Sequence, residues 1–275
     1  MQNKKSGYKF PISIQLVLPD NYRDSKDFNE VCSPLLDLGF FGVELNIADF
    51  ENVPIGMLQD FLAGYNLRLS MFASGKTAQT FGLSLSHEDA SIRSKSVAAC
   101  KRMIDYVEGT DAGIIVGFLK GKNDIVPATA CELLKLSLSE IAPYTTDKKV
   151  NLLIEATNRY ESPVARSLED SVDLVKDLGS PYMRILPDTF HMNIEESDML
   201  EALDRYFEYF DSVHVSDNNR FFPGFGAINF DAVLSFLEKK NFLGGIAIEG
   251  NTKKNLIDDI RYSVEYLVPY LYNSR

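Results

Sequence analysis

Cysteine is scarce in this chain, with three residues (Cys32, Cys100 and Cys131) among 275. Three cannot all pair and none stands in a CxxC arrangement, which excludes a disulfide frame or a zinc knuckle. They read as reduced, buried thiols of a cytoplasmic protein. Positive charge is also short: 28 Lys and Arg against 39 Asp and Glu leave a net charge of −11. Such a field repels phosphate backbones and speaks against a nucleic-acid partner. No apolar run approaches the ~20 residues that span a bilayer. The opening MQNKKSGYKF runs into PISIQLVL, too short and strand-like for a secretory leader, so neither membrane nor export is expected. No GxGxxG follows the first strand-like run, which counts against a dinucleotide domain. No Pro/Gly/Ser tract, low-complexity run or internal repeat divides the chain, so residues 1–275 read as a single domain.

What the chain has is alternation. Short β-branched or apolar runs, each followed by an amphipathic stretch, predict strands over Ile12–Leu18, Gly42–Asn46, Leu67–Phe72, Gly113–Gly117, Val150–Glu155, Tyr182–Asp188, Ser212–Ser216 and Gly245–Glu249. Helical patterns lie between them, among them Ala90–Glu108, Val126–Ile141, Leu168–Leu178, Met199–Phe210, Phe230–Lys239 and a closing Asn255–Leu271. Gly39, Gly179 and Gly244 stand where helices should end. Strands that are nearly all apolar fit a parallel sheet covered on both faces. Eight such units favour an α/β (β/α)₈ TIM barrel over an open doubly wound sheet.

In such a barrel the functional side chains sit at the carboxyl ends of the strands. There the fifth strand places Glu155, the sixth Asp188, the seventh His214 and the eighth Glu249. A lone strand-end Glu is usually solvated, and a lone His on an apolar strand is usually core. Four on consecutive strands are a different matter, because three carboxylates gathered without a cation would cost several kcal/mol each. A divalent ion is the economical explanation. Oxygen-rich ligation with one nitrogen suits Mn²⁺ first, with Mg²⁺, Co²⁺ or Zn²⁺ as alternatives. Of the three histidines, His87 reads as a surface residue beside a helix start, and Phe190 and Met192 as packing.

The strings IEATNRYE, DTFHMNIEE, HVSDNNRFFPGFGAINF and AIEGN resemble the sugar isomerase/epimerase group of the xylose-isomerase-like barrels, and within it the ketose 3-epimerases of the tagatose/psicose type. The similarity is clear over roughly residues 150–250, and FASGKTAQTFGLSLSHEDASIRSKSV resembles the third barrel unit of the same group. The chain departs from that pattern in having no Trp and in its aromatic FFPGFGAINF segment. The resemblance implies that Glu155, Asp188, His214 and Glu249 bind one divalent metal, with Glu155 and Glu249 also the acid/base pair. It further implies that His191, Arg220 and Glu161 bind substrate, and it marks Glu44 as an acidic position of the barrel group. The plain alternative for Arg220 is a surface pair with Asp217.

The implied activity is metal-dependent epimerisation or isomerisation of a ketose or related polyol, by proton transfer through a metal-stabilised enediolate. An inosose or hydroxypyruvate-type isomerase or dehydratase, an aldose–ketose isomerase and a non-catalytic sugar-binding barrel remain open. Three histidines and the acidic charge argue against the apurinic-site endonucleases of this fold. The implied partner is a small-molecule sugar, with homo-oligomerisation left open. A phosphate could sit on the Gly250–Lys254 loop, although an unphosphorylated substrate is preferred.

Overall fold

The computed structural model describes residues 7–122 and 126–272. Eight parallel strands form one sheet: β1 (Ile12–Val17), β2 (Gly42–Asn46), β3 (Leu69–Ala73), β4 (Gly113–Val116), β5 (Leu152–Glu155), β6 (Met183–Leu186), β7 (Ser212–Val215) and β8 (Gly245–Ile248). Their order is β6-β5-β4-β3-β2-β1-β8-β7. The seam between β6 and β7 is bridged in parallel at Asp188 and His214, where the His214 N–H donates to the Pro187 carbonyl at 2.9 Å. The expected TIM barrel is therefore present, and its seam lies beside two of the candidate ligands.

The covering helices are α1 (Lys26–Leu35), α2 (Ile55–Gly64), α3 (Gly75–Phe81), α4 (Ala90–Val107), α5 (Pro127–Lys148), α6 (Leu168–Val175), α7 (Thr189–Glu195), α8 (Met199–Arg205), α9 (Phe230–Lys239) and α10 (Leu256–Leu271). Side-chain oxygens of Ser25, Asp89, Ser167, Asp198, Asn229 and Asn255 accept first-turn N–H groups, as N-caps do. Several boundaries differ from the sequence reading, the largest at α5, expected over Val126–Ile141 and running on to Lys148. Strand six was expected to run to Asp188, but Pro187 cannot donate to the ladder, so β6 ends at Leu186 and Asp188 caps α7 instead. The helix expected over Met199–Phe210 ends at Arg205 and gives way to a 3₁₀ turn, Phe207–Tyr209.

Alternation along each strand decides what enters the barrel. Ile12, Ile14, Val43, Leu45, Leu152, Ile154, Val213, Val215, Ile246 and Ile248 all pack outward in the main core beneath the helices. Each fully buried side chain of this size contributes about 1.5–3 kcal/mol. The opposite parity points inward. On β3 to β6 it supplies a separate apolar cluster of Ala73, Ile115, Leu153 and Leu186. On the remaining strands it supplies Gln15, Glu44, Asn46 and His214, followed by Glu249 just beyond β8. Cys32, Cys100 and Cys131 are free thiols, the first two buried and pushed up to about 12 by desolvation. Among the described residues no helix is long and apolar enough to cross a membrane.

Candidate functional site

Glu155 closes β5 on the inward parity of Leu153, and His214 lies inward between the outward Val213 and Val215. One ligand atom each from Glu155, Asp188, His214 and Glu249 lies within 4.8 Å of the other three. All four predicted ligands are thus brought together. His214 is fully buried, and its Nε2 is 2.9 Å from Glu44 Oε2. With Nε2 facing Glu44, Nδ1 faces the other carboxylates: Glu249 Oε2 at 2.6 Å, Glu155 Oε1 at 3.4 Å and Asp188 Oδ2 at 3.8 Å. Glu155 Oε1, His214 Nδ1 and Glu249 Oε2 are buried without a hydrogen-bond partner. Carboxylate oxygens and a ring nitrogen converging on one point are the donor set a divalent cation requires once Nδ1 gives up its proton.

The electrostatics agree. Burial opposes a charge on His214, yet the Glu44 and Glu249 carboxylates override it and hold the imidazole well above its ordinary value. Burial also pushes Glu249 up, but Arg220 and His214 outweigh it and keep the carboxylate strongly ionised. For Glu155, burial and Glu249 raise the value while His214 and His191 bring it below the ordinary range.

Asp188 divides its two oxygens. Oδ1 accepts the N–H groups of Phe190 at 2.8 Å and His191 at 3.3 Å, capping α7. Oδ2 accepts from Arg220 Nη1 at 2.6 Å. Arg220 Nη2 reaches Glu249 Oε1 at 2.9 Å, and the guanidinium lies 5.0 Å from the Phe190 ring centroid. Arg220 is therefore no surface partner of Asp217. Its side chain ties two candidate ligands together while also lining the cavity above them. Its backbone is left-handed, φ 62°, held by its N–H to the Asp217 carbonyl (2.9 Å) and its carbonyl to the Asn251 N–H (2.6 Å).

His191 and Glu161 line the same cavity, whose volume is about 510 Å³. Asn158, unremarked in the sequence, organises both. Its backbone N–H and its Nδ2 lie 3.1 and 2.8 Å from His191 Nδ1, so that nitrogen accepts and Nε2 carries the proton. Nδ2 also reaches Glu161 Oε1 at 3.2 Å. Lys120 was missed as well. Fully buried after β4, it donates Nζ to the Glu155 carbonyl and, at 2.9 Å, to Thr157 Oγ1. Burial lowers it to about 8, against the upward pull of Glu155 and Glu161. The available signal was a lysine in an apolar strand-end run, GIIVGFLKG. His87, read as a surface residue, lines the cavity instead. Met192 is buried core as expected.

The profile of the "Xylose isomerase-like TIM barrel" family matches residues 33–270. A ketose 3-epimerase of Arthrobacter globiformis is 26% identical over 228 residues, 82% of this chain and 78% of that protein. The fold of an E. coli 3-keto-D-glucoside 4-epimerase superposes with a TM-score of 0.78 at 18% identity, covering 95% of this chain and 98% of that one. A D-psicose 3-epimerase determined in the presence of D-fructose gives 0.73 at 23% identity, over 91% and 89%. The inward cluster, the barrel that carries it and the matched span lead to one conclusion: the chain belongs to the xylose isomerase-like TIM barrel family.

Proposed function

We propose that the protein is a divalent-metal-dependent ketose 3-epimerase. The observation that carries this reading is the convergence of Glu155, Asp188, His214 Nδ1 and Glu249 within 4.8 Å of one another. Glu155 and Glu249 both open on the cavity. Its ketose 3-epimerase relatives support the choice of sugar chemistry. A hydrogen beside a ketone is weakly acidic, so its removal requires stabilisation of the negative charge that develops on oxygen. A divalent ion held by the four ligands supplies that Lewis-acid stabilisation when bound, Mn²⁺ being the first choice.

The chain's own residues do the rest. One of Glu155 and Glu249 removes the proton from carbon 3, and the other returns a proton to the opposite face, inverting that carbon. His191 Nε2–H donates to a substrate oxygen, with its tautomer set by Asn158. Glu161 accepts from a substrate hydroxyl. Arg220 fixes Asp188 and Glu249 and keeps the latter ionised. Turnover of a ketohexose in D₂O with Mn²⁺ tests the reading. Deuterium at carbon 3 alone is expected, and Glu155→Gln or Glu249→Gln should reduce exchange at least a hundredfold. Label at carbon 1, or turnover without label, would make the protein an aldose–ketose isomerase, and no turnover with intact sugar binding would make it a binding barrel.

A further inference from the structure

The cavity is charged unevenly in a way that bears on the substrate. Among the described residues lining it, the carboxylates are Glu155 and Glu249 of the ligand cluster and Glu161, which accepts from Asn158. The side formed by β3, β4 and the segments after them presents Lys76 on α3, His87 before α4 and Lys122 after β4, and no described carboxylate lines it. Among the described residues this wall is cationic, in a protein of net charge −11. Like most described lysines, neither forms an ion pair among the described residues, so both ammonium groups are available to a ligand. His87 Nδ1 accepts the Asp89 N–H at 3.0 Å, leaving Nε2 as the donor. Thr77 Oγ1 to the Ile47 carbonyl (2.6 Å) and the Lys76 N–H to Asn46 Oδ1 (3.2 Å) fasten α3 to the barrel, so the wall is positioned by the fold.

The two places where this type of barrel usually binds phosphate are filled by the chain itself. On the loop after β7, the Asp217 carboxylate accepts the N–H groups of Gly224 (3.0 Å), Gly226 (2.7 Å) and Ile228 (3.0 Å). On the loop after β8, Asp259 Oδ2 accepts those of Lys253 and Lys254 at 2.5 and 2.9 Å. The Gly250–Lys254 loop, offered by the sequence as a phosphate site, is thus closed by an internal anion. The cavity volume of about 510 Å³ lies within the ordinary range of small-molecule pockets.

We propose that the substrate is a ketose whose end remote from the ketone carries an anion, a carboxylate or a phosphate ester, bound by Lys76, Lys122 and His87. This rests on the epimerase reading, which places the ketone end at the ligand cluster. A carboxylate keeps to the sequence-level preference for an unphosphorylated sugar, and a phosphate ester departs from it. The test is calorimetric titration of the metal-free protein and of a Lys76→Met/Lys122→Met variant with a ketohexose, its 6-phosphate and its 6-carboxylate. Turnover of each with Mn²⁺ runs alongside. One of the two anionic ketoses should bind at least tenfold tighter than the neutral one, and which of them does so identifies the anion. That preference should collapse in the variant and in about 0.5 M salt, and the ratio of kcat/KM for anionic over neutral ketose should fall at least tenfold, through KM. Equal binding of neutral and anionic ketoses, or a variant that keeps the preference, overturns the proposal. Lysine-dependent anion binding without hydrogen exchange at carbon 3 of any ketose would keep the anion subsite and overturn the epimerase reading instead.

Discussion

At the scale of single residues, the site depends on groups that share their atoms between tasks. Arg220 is the clearest case, because its guanidinium binds ligand carboxylates as well as facing the cavity. Arg220→Ala should therefore lose turnover and also weaken Mn²⁺ binding by about tenfold or more, since two carboxylates lose the cation that orients them. Titration calorimetry reads this directly, and wild-type metal affinity would show that Arg220 serves substrate alone. Asp188→Ala and His214→Ala should abolish Mn²⁺-dependent thermal stabilisation while the barrel still folds. Gly117 makes a sharper test. A Cβ at this position would stand 2.5 Å from Glu155 Oε2. Gly117→Ala should displace the Glu155 carboxylate and cut metal affinity and turnover together, with a small loss of melting temperature. Unchanged activity would mean that Glu155 need not sit where the structure puts it.

At the scale of elements, the loops after the strands are fixed by their own hydrogen bonds. Asp217 accepts four backbone N–H groups of the loop after β7, those of Asn218, Gly224, Gly226 and Ile228. Asp217→Ala leaves these donors without an acceptor and should cost about 2–4 kcal/mol. At roughly 2–4 °C per kcal/mol for a chain of this size, the melting temperature should fall by several degrees. Arg220, whose N–H is bonded to the Asp217 carbonyl, should become mobile with the loop. A melting temperature within 1 °C of wild type, on the order of a few tenths of a kcal/mol, would rule out this anchoring role. The helices α3 and α7 belong to this scale as well. The sequence pattern ends the sixth strand at Asp188 with a loop after it, whereas Thr189–Glu195 form α7, because Pro187 stops the ladder and Asp188 caps the turn that follows.

At the scale of the whole molecule, metal binding couples to proton balance. The carboxylates hold His214 well above its ordinary value in the metal-free protein, so it carries a proton at neutral pH. A group raised on folding contributes stability that is fully present below its unfolded value, about 6.5. That contribution is lost as pH rises through the raised value. An ion on Nδ1 must displace that proton. Mn²⁺ binding at pH 7 should therefore release about one proton, and affinity should climb about tenfold per pH unit until the His214 value is passed. Calorimetry in two buffers of different ionisation enthalpy measures the release, and an absence of proton release would show His214 to be neutral before the metal arrives.

The division between sequence and tertiary structure follows from the range of the interactions. Sequence alone determined the eightfold alternation, because burial on one or both faces imposes periods of two and 3.6 on any chain. It also pointed to the four candidate ligands, because strand parity carries Glu155, like Leu153, and His214, like Ser212, to the interior of the barrel. It could not place Lys120 under Glu155, join Arg220 to Asp188 and Glu249, or set Glu44 against His214, because these partners stand 35, 32 or 29, and 170 residues apart. Nor could it show that Asp217 and Asp259 fill the phosphate loops or that His87 faces the cavity. Those outcomes depend on which loops the closed barrel gathers at one mouth, and only closure of the ring decides that.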